Sequence, residues 1–382
     1  MISLNDVLAP LQRSGIRLYT NLANQTPGCI KLTIGEPEFD TPQPIKDAAV
    51  AALAGGETHY APNQGTEALR QAIAAFETQR GNPCTAQQVI VTAGACEALY
   101  LALFGTLNPG DEVILPTPAF LLYDTIATIA GAKVVPLDLT ASGFQITRQM
   151  LERAITPRTR AIVLNSPNNP TGVVFSQESL NAVKEAVRGK NIVVISDNVY
   201  AGLSAVPVPD LSLDAELRDQ LLLCQSFSKP YAMTGWRVGY LVGPQAVMDR
   251  LLLLHAAMIT AVPTFIQTAA ITALKTDVSD MADSYARRRI YACDRLRQMG
   301  LTFPEPEGAF YVFPDITRFG MSSGEFCTRM IQEAGVAGVP GSCFGSEGYI
   351  RLSFCCSDEN LKTGLDRMAA FVAKLEAAPA LP

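Results

Sequence analysis

The chain has 382 residues, 48% of them hydrophobic and 17% charged, with a formal net charge of -6 and a pI near 5.2. That is enough apolar material for a large core, in two domains or in one large domain with a smaller partner. The acidic balance, with no long lysine or arginine run, argues against a nucleic-acid surface, and nine cysteines without CxxC spacing beside only two histidines indicate reduced thiols, no disulfide framework and no metal site.

The first 15 residues, "MISLNDVLAPLQRSG", mix charges early and lack the apolar segment of a signal peptide. The first 40 or so residues show no strand–helix alternation, and the proline-rich "GEPEFDTPQP" reads as a linker between domains. From about residue 45 to residue 275 short apolar runs alternate with helical patterns, the signature of a mostly parallel sheet covered on both faces. The strand candidates are 88–92, 111–116, 133–137, 160–165, 192–196, 221–226 and 237–243, with helical apolar spacing between them, as at Leu180, Val183 and Val187.

The run "LLLLHAAMITAV" is too short and too interrupted to span a bilayer, and the protein is expected to be cytoplasmic, with no membrane partner. From about residue 280 the pattern loosens into a charged helix around "SYARRRIYACDRLRQM", with Arg287, Arg288 and Arg289 on a helix face. The strand candidates "GAFYVF" and "YIRLSF" follow, then a last helix opened by Ser357 with acidic Asp358 and Glu359 in its first turn. The expected division is a large α/β domain over 45–279 and a smaller α+β domain over 280–382, to which residues 1–44 contribute.

Several features fall at or just past the C-terminal ends of the strand candidates, which in such sheets point toward one crevice. "TAGACEAL" opens a helix after a strand, so the amides of Gly94, Ala95 and Cys96 are placed to hold an anion. "NSPNNPTG" follows another strand; proline after Asn169 rules out a glycosylation signal, and a plain turn is the alternative reading. "VVISDNVY" ends an apolar strand with Asp197, three residues before Tyr200, and a buried carboxylate needs pairing, here expected from a cation.

"SFSKPYAMTGWRVGY" places Lys229 after the buried run "LLLC", with Ser226 before it and Arg237 after it. Pro230 biases Lys229 toward an extended conformation, so the lysine is expected at a strand end. An anion cradle, a buried carboxylate and a strand-end amine form a set that fits pyridoxal 5'-phosphate: the lysine makes a Schiff base, the carboxylate keeps the pyridine nitrogen protonated, and the helix terminus with the arginine holds the phosphate.

With "GEPEFDTP", "YAPNQGTEALR", "TAGACEAL", "NSPNNPTG", "ISDNVY", "SFSKPYAMTGWRVGY", "PEGAFYVF" and "YIRLSF" in this order, nearly the whole chain resembles the class I/II aminotransferases of the aspartate aminotransferase superfamily, the fold type I pyridoxal-phosphate enzymes. The resemblance implies that Lys229 is the cofactor-bonded lysine and proton carrier, Asp197 the partner of the ring nitrogen, and Tyr200 and Asn169 hydrogen-bond partners of the phenolate oxygen. It makes Phe120 the residue stacked on the ring, and Ser226, Arg237 and the amides near Ala95 and Cys96 the phosphate site. Arg351 matches the arginine that grips the substrate α-carboxylate, Gly35 lines that pocket, and Phe310 either borders it or belongs to the core. Tyr60 matches a tyrosine that serves the neighbouring subunit's phosphate, so a homodimer with shared sites is implied.

The implied reaction moves an amino group between an L-amino acid and a 2-oxo acid by a ping-pong route; the alternative within the fold is a C–S β-lyase. A non-catalytic regulator would be expected to carry an added DNA-binding domain, for which the chain start leaves no room. Asn198 stands where many relatives carry an acidic residue, and Ala95-Cys96 replace residues that often add a polar phosphate contact; neither departure removes an essential group. "GSCFG" has the outline of a nucleophile elbow at Cys343, but His59 and His255 lie in no triad context. No arginine in "HAAMITAVPTF" could meet a distal substrate carboxylate, so the amino donor stays open.

Overall fold

Each of the seven apolar runs between residues 88 and 243 becomes a strand of one sheet. In chain order these are β1 (Val89–Thr92), β2 (Glu112–Thr117), β3 (Lys133–Asp138), β4 (Thr159–Asn165), β5 (Val193–Asp197), β6 (Leu221–Ser226) and β7 (Gly239–Val242). The computed structural model describes residues 2, 5–11 and 14–377. The strand order is β1-β7-β6-β5-β4-β2-β3; β7 runs antiparallel to both its neighbours, and every other pairing is parallel.

Side chains alternate between two apolar layers. Ile114, Ile162, Leu164, Val194 and Leu223 join one cluster and Val113, Val163, Ile195, Leu222 and Leu241 the other. Both faces are therefore buried, which is why these strands read as unbroken hydrophobic runs rather than as an alternating pattern.

Strand β7 starts two residues later than the 237–243 expected. Arg237 has φ 54°, a left-handed conformation that cannot continue a strand, so extended backbone begins beyond it. Lys229 also departs from expectation: it lies in a turn three residues past β6, not in an extended segment. The Tyr231 N–H reaches the Phe227 carbonyl and the Met233 N–H that of Ser228, so local turn hydrogen bonds outweigh the bias set by Pro230.

A smaller α+β part is built from both chain ends. Helix α1 (Gly15–Gln25) leads into Ile30–Lys31, which pairs in parallel with Val336–Ala337. Strand β8 (Tyr311–Val312), β9 (Val339–Pro340) and β10 (Ile350–Ser353) form an antiparallel sheet in the order β9-β10-β8. The long helices Ser279–Gln298 and Asp358–Ala377 cover it, and Leu32 shares their core with Leu296, Phe326, Leu352 and Phe371. Ser357 accepts the Asn360 N–H, so the last helix opens where its cap residue marks it. Among the described residues no helix is long and apolar enough to cross a membrane.

Candidate active site

Parallel strands deliver their C-terminal ends to one edge, and the register fixes which residues meet there. Asn165 stands beside Asp197, Asp197 beside Cys224, and Gly239 between Ser226 and Thr92. Above this edge, between the large sheet and the small part, lies a cavity of about 510 Å³. Gly35, Ala95, Cys96, Phe120, Asn169, Asp197, Tyr200, Ser226, Lys229, Arg237 and Arg351 all line it, so eleven residues singled out from the sequence converge on one space.

Lys229 Nζ donates to the Gly35 carbonyl, and loss of hydration lowers its pKa from that of an ordinary lysine. More of it is the free base, which makes the amine a better nucleophile at neutral pH. A Cβ at Gly35 would fall 1.8 Å from the Tyr311 hydroxyl, so a larger residue there would displace that buried ring.

Asp197 is buried at the end of β5, but no cation meets it among the described residues. It accepts from the Tyr123 hydroxyl at 2.7 Å and from the Val199 N–H at 3.3 Å. The expected cationic protein partner is thus replaced by two neutral donors. Burial pushes the carboxyl up to about 6, against the lowering effect of both hydrogen bonds. A cation brought into the cavity would restore the ionised form.

Arg351, in the middle of β10, is 1% exposed, so it does not cover apolar surface with its head in water. Its guanidinium lies 4.4 Å from the Tyr311 ring centroid and 4.9 Å from that of Phe344; Nη1 donates to Asn169 Oδ1 at 2.8 Å and Nη2 to the Thr33 carbonyl. Nε has no partner, and among the described residues no carboxylate faces this buried cation. Asn169 is more than a turn residue, since its Oδ1 anchors Arg351 and its N–H is held by Asn165 Oδ1.

Helix α2 (Ala95–Phe104) opens after Gly94, whose φ of 79° turns the chain out of β1. A Cβ at Gly94 would lie 2.7 Å from Arg237 Nη2, so glycine lets the guanidinium reach the helix N-terminus. Arg237 donates to the Thr234 carbonyl at 2.9 Å and, at 3.4 Å, to that of Ala93. Ser226 Oγ accepts the Ser228 N–H at 3.0 Å. First-turn amides, a hydroxyl and an exposed guanidinium on one cavity wall make a cradle suited to a phosphate.

The donor set fits an anionic ring compound with a basic nitrogen and an electrophilic carbon, the description of pyridoxal 5'-phosphate. Residues 27–368 match the family model for aminotransferase class I and II. The chain belongs to this family. It is 40% identical over 378 residues to a probable N-acetyl-LL-diaminopimelate aminotransferase of Bacillus subtilis, covering 97% of this chain and 96% of that one. It is 39% identical to an aspartate aminotransferase of Pyrococcus horikoshii, over 94% of each. The structure of Thermus thermophilus aspartate aminotransferase with maleate superposes with a TM-score of 0.91 at 34% identity, covering 97% of this chain and all of that one. The chain is thus a pyridoxal-phosphate-dependent aminotransferase of fold type I, and the C–S lyase alternative is not favoured.

Three residues named from the sequence stand apart from the cavity wall, Gly94 among them although it shapes the turn beside it. Tyr60 is 93% exposed in the 57–61 segment, which packs on residues 261–265. Phe310 is fully buried in the small core; its ring lies 5.8 Å from Lys229 Nζ, but it does not line the cavity wall. Asn198 also turns away, accepting from Ser196 and donating to Asp210 Oδ2 at 2.6 Å, so its departure from the acidic pattern removes nothing from the cavity. Burial raises the pKa of the Cys343 thiol, and neither histidine approaches it: His59 is exposed and His255 is paired with Glu97.

Other lining residues escaped the sequence reading. Tyr123 sits three residues after Phe120 in the helix Leu121–Ile129, on the same face, and Asn165 ends β4 as Asp197 ends β5; helix spacing and the strand-end rule could have found both. Ile16, Arg17, Thr20 and Asn21 of α1 have no such signal, because only tertiary packing brings that helix to the cavity.

Proposed function

We propose that this aminotransferase works through Lys229, Asp197, Tyr200 and Arg351, on a cofactor held by the cradle of Gly94, Ala95, Cys96, Ser226 and Arg237 under the ring of Phe120. The observation that carries this reading is that Lys229, Asp197 and Arg351 line one cavity and none of them has a salt-bridge partner among the described residues. Charges left without protein partners in a shared space are complementary to a ligand that brings its own.

When bound, pyridoxal 5'-phosphate supplies an electrophilic carbon and a ring that delocalises the electron pair released at the substrate α-carbon. Lys229 would hold the cofactor through its amine and, as a base, would move the proton at the substrate α-carbon. Asp197 holds a proton on the ring nitrogen. Tyr200, its pKa driven well above the usual phenol value by burial, stays protonated; with the Tyr311 hydroxyl 3.0 Å away acting as the donor of that pair, the Tyr200 proton would be directed to the phenolate oxygen. Asn169 has Oδ1 occupied by Arg351, which leaves its amide N–H₂ to donate there too. Arg351 and the Gly35 backbone receive the substrate α-carboxylate.

The test is a half-reaction screen of amino donors by cofactor absorbance, with product analysis, in the wild type and in Arg351→Lys. Lysine keeps the charge but not the planar fork. Every donor and oxo acid should show KM raised roughly ten- to a hundredfold, with cofactor affinity unchanged. Normal KM in the variant, or loss of cofactor before loss of substrate, assigns Arg351 to the scaffold or to the phosphate site.

We further read the active unit as a cytoplasmic homodimer, with a large domain over 45–279 and a small one over 280–382 joined by 1–44. The near-complete exposure of Tyr60 supports a role for it in a partner's site. Mixed Tyr60→Phe and Lys229→Ala dimers contain one site with both changes and one with neither, so activity should reappear on mixing. Confirmed hybrids without recovery argue against sharing.

A further inference from the structure

His255 lies on the helix Gln245–Ile259 and is fully buried, yet it lines no part of the catalytic cavity. Its Nδ1 is 2.8 Å from Glu97 Oε1, and its Nε2 is buried without a partner. Glu97, 7% exposed in the first turn of α2, uses its other oxygen to accept the Ala93 N–H. With Glu97 as a carboxylate both its oxygens are acceptors, and the contact at Oε1 then calls for the Nδ1–H form of His255.

The Ala93 peptide is held at both ends, its N–H by Glu97 and its carbonyl by Arg237 Nη2. Thr92 Oγ1 also donates to the Gly94 carbonyl at 3.0 Å. The turn fixed in this way presents the first amides of α2 to the cavity. Its glycine would be free to adopt several conformations without these contacts.

We propose that the Glu97–His255 pair is a positioning device that aims the Ala93–Cys96 turn at the cofactor phosphate, with His255 Nδ1–H fixing the rotamer of Glu97. The proposal rests on the phosphate site described above. Neither residue touches the cofactor or the reacting atoms. A carboxylate held from both sides contributes to preorganisation: the amides point at the anion before it arrives, and binding does not have to order them.

The experiment compares the affinity of the apoprotein for pyridoxal 5'-phosphate with that for pyridoxal, which lacks only the phosphate, in wild type, His255→Leu, His255→Asn and Arg237→Ala. Leucine removes the Nδ1 donor, whereas the asparagine amide restores a donor near the same place. His255→Leu should weaken phosphate-bearing cofactor about tenfold with little change for pyridoxal, and His255→Asn should recover most of that loss. Equal weakening of both ligands, no weakening, or no rescue overturns the positioning role. Arg237→Ala is the separate control: if it leaves the preference for the phosphorylated form intact, the phosphate site itself is misplaced. Should His255→Leu not fold, Glu97→Gln is read in its place, and an unchanged preference there counts against the proposal. Nitrogen-15 spectra of labelled histidine see only His59 and His255; an Nε2–H tautomer at His255 would contradict the bond to Glu97.

Discussion

Lys229→Ala lowers turnover by about four orders of magnitude or more, since it removes both the covalent anchor and the base that carries the α-proton. The fold should survive. Lys229 Nζ makes one hydrogen bond, to the Gly35 carbonyl, in a turn set by the backbone bonds of Phe227 and Ser228. Losing one such bond costs about 1 kcal/mol, and the melting temperature should move by no more than about 4 °C. Borohydride reduction of the wild type fixes the cofactor to the peptide that carries Lys229, and a label on a different lysine refutes the assignment. Because burial lowers the pKa of this amine, the free-base form it needs persists to lower pH than for an ordinary lysine, and it is lost as pH falls through that lowered value.

Asp197→Ala should cost far more in rate than in stability. In the folded chain the carboxyl has a pKa near 6, above the ordinary aspartate range, because burial penalises its charge more than Tyr123 and Val199 relieve it. Its charge is therefore no asset to the fold. A group with a raised carboxyl pKa stabilises the folded state only where it is protonated, and that contribution is lost as pH rises from the unfolded value through about 6. Removing it leaves the Tyr123 hydroxyl and the Val199 N–H without their acceptor, at about 1–3 kcal/mol. Opposite a protonated ring nitrogen the same buried carboxylate is half of an ion pair, whose loss costs roughly 3–5 kcal/mol, or about two to four orders of magnitude in rate. A variant that transaminates within about tenfold of wild type shows that another residue supplies the charge.

The seven central strands were legible because a sheet buried on both faces needs apolar residues at every position. Such runs as "LLLC" and "AIVL" say so without any knowledge of the fold. Where chemistry sits followed from one rule, that strand ends of a parallel sheet share an edge, and it placed Asn169, Asp197, Ser226 and Lys229 in one cavity. The same local reading erred on conformation at Lys229 and Arg237. A proline bias or a β-rich run is a weak preference, and turn hydrogen bonds and one left-handed residue override it.

Other features depend on segments distant in the chain. Asp197 looked as though it required a cation from the protein, but Tyr123, 74 residues away, meets it, and the cation is left to the ligand. Arg351 stands out in the sequence only through its motif, and its setting forms when Thr33, 318 positions earlier, and Asn169, 182 positions earlier, close around it. His255 and Glu97 lie 158 positions apart, and neither the charged residue in a helix's first turn nor the lone histidine in an apolar helix announces the other. The sheet strands, their positions along the chain and the residue types at their ends follow from periodicity and local backbone preference alone. Which buried charges lack a protein partner was settled by the fold, since that depends on side chains far apart in the chain meeting in a space that water has left.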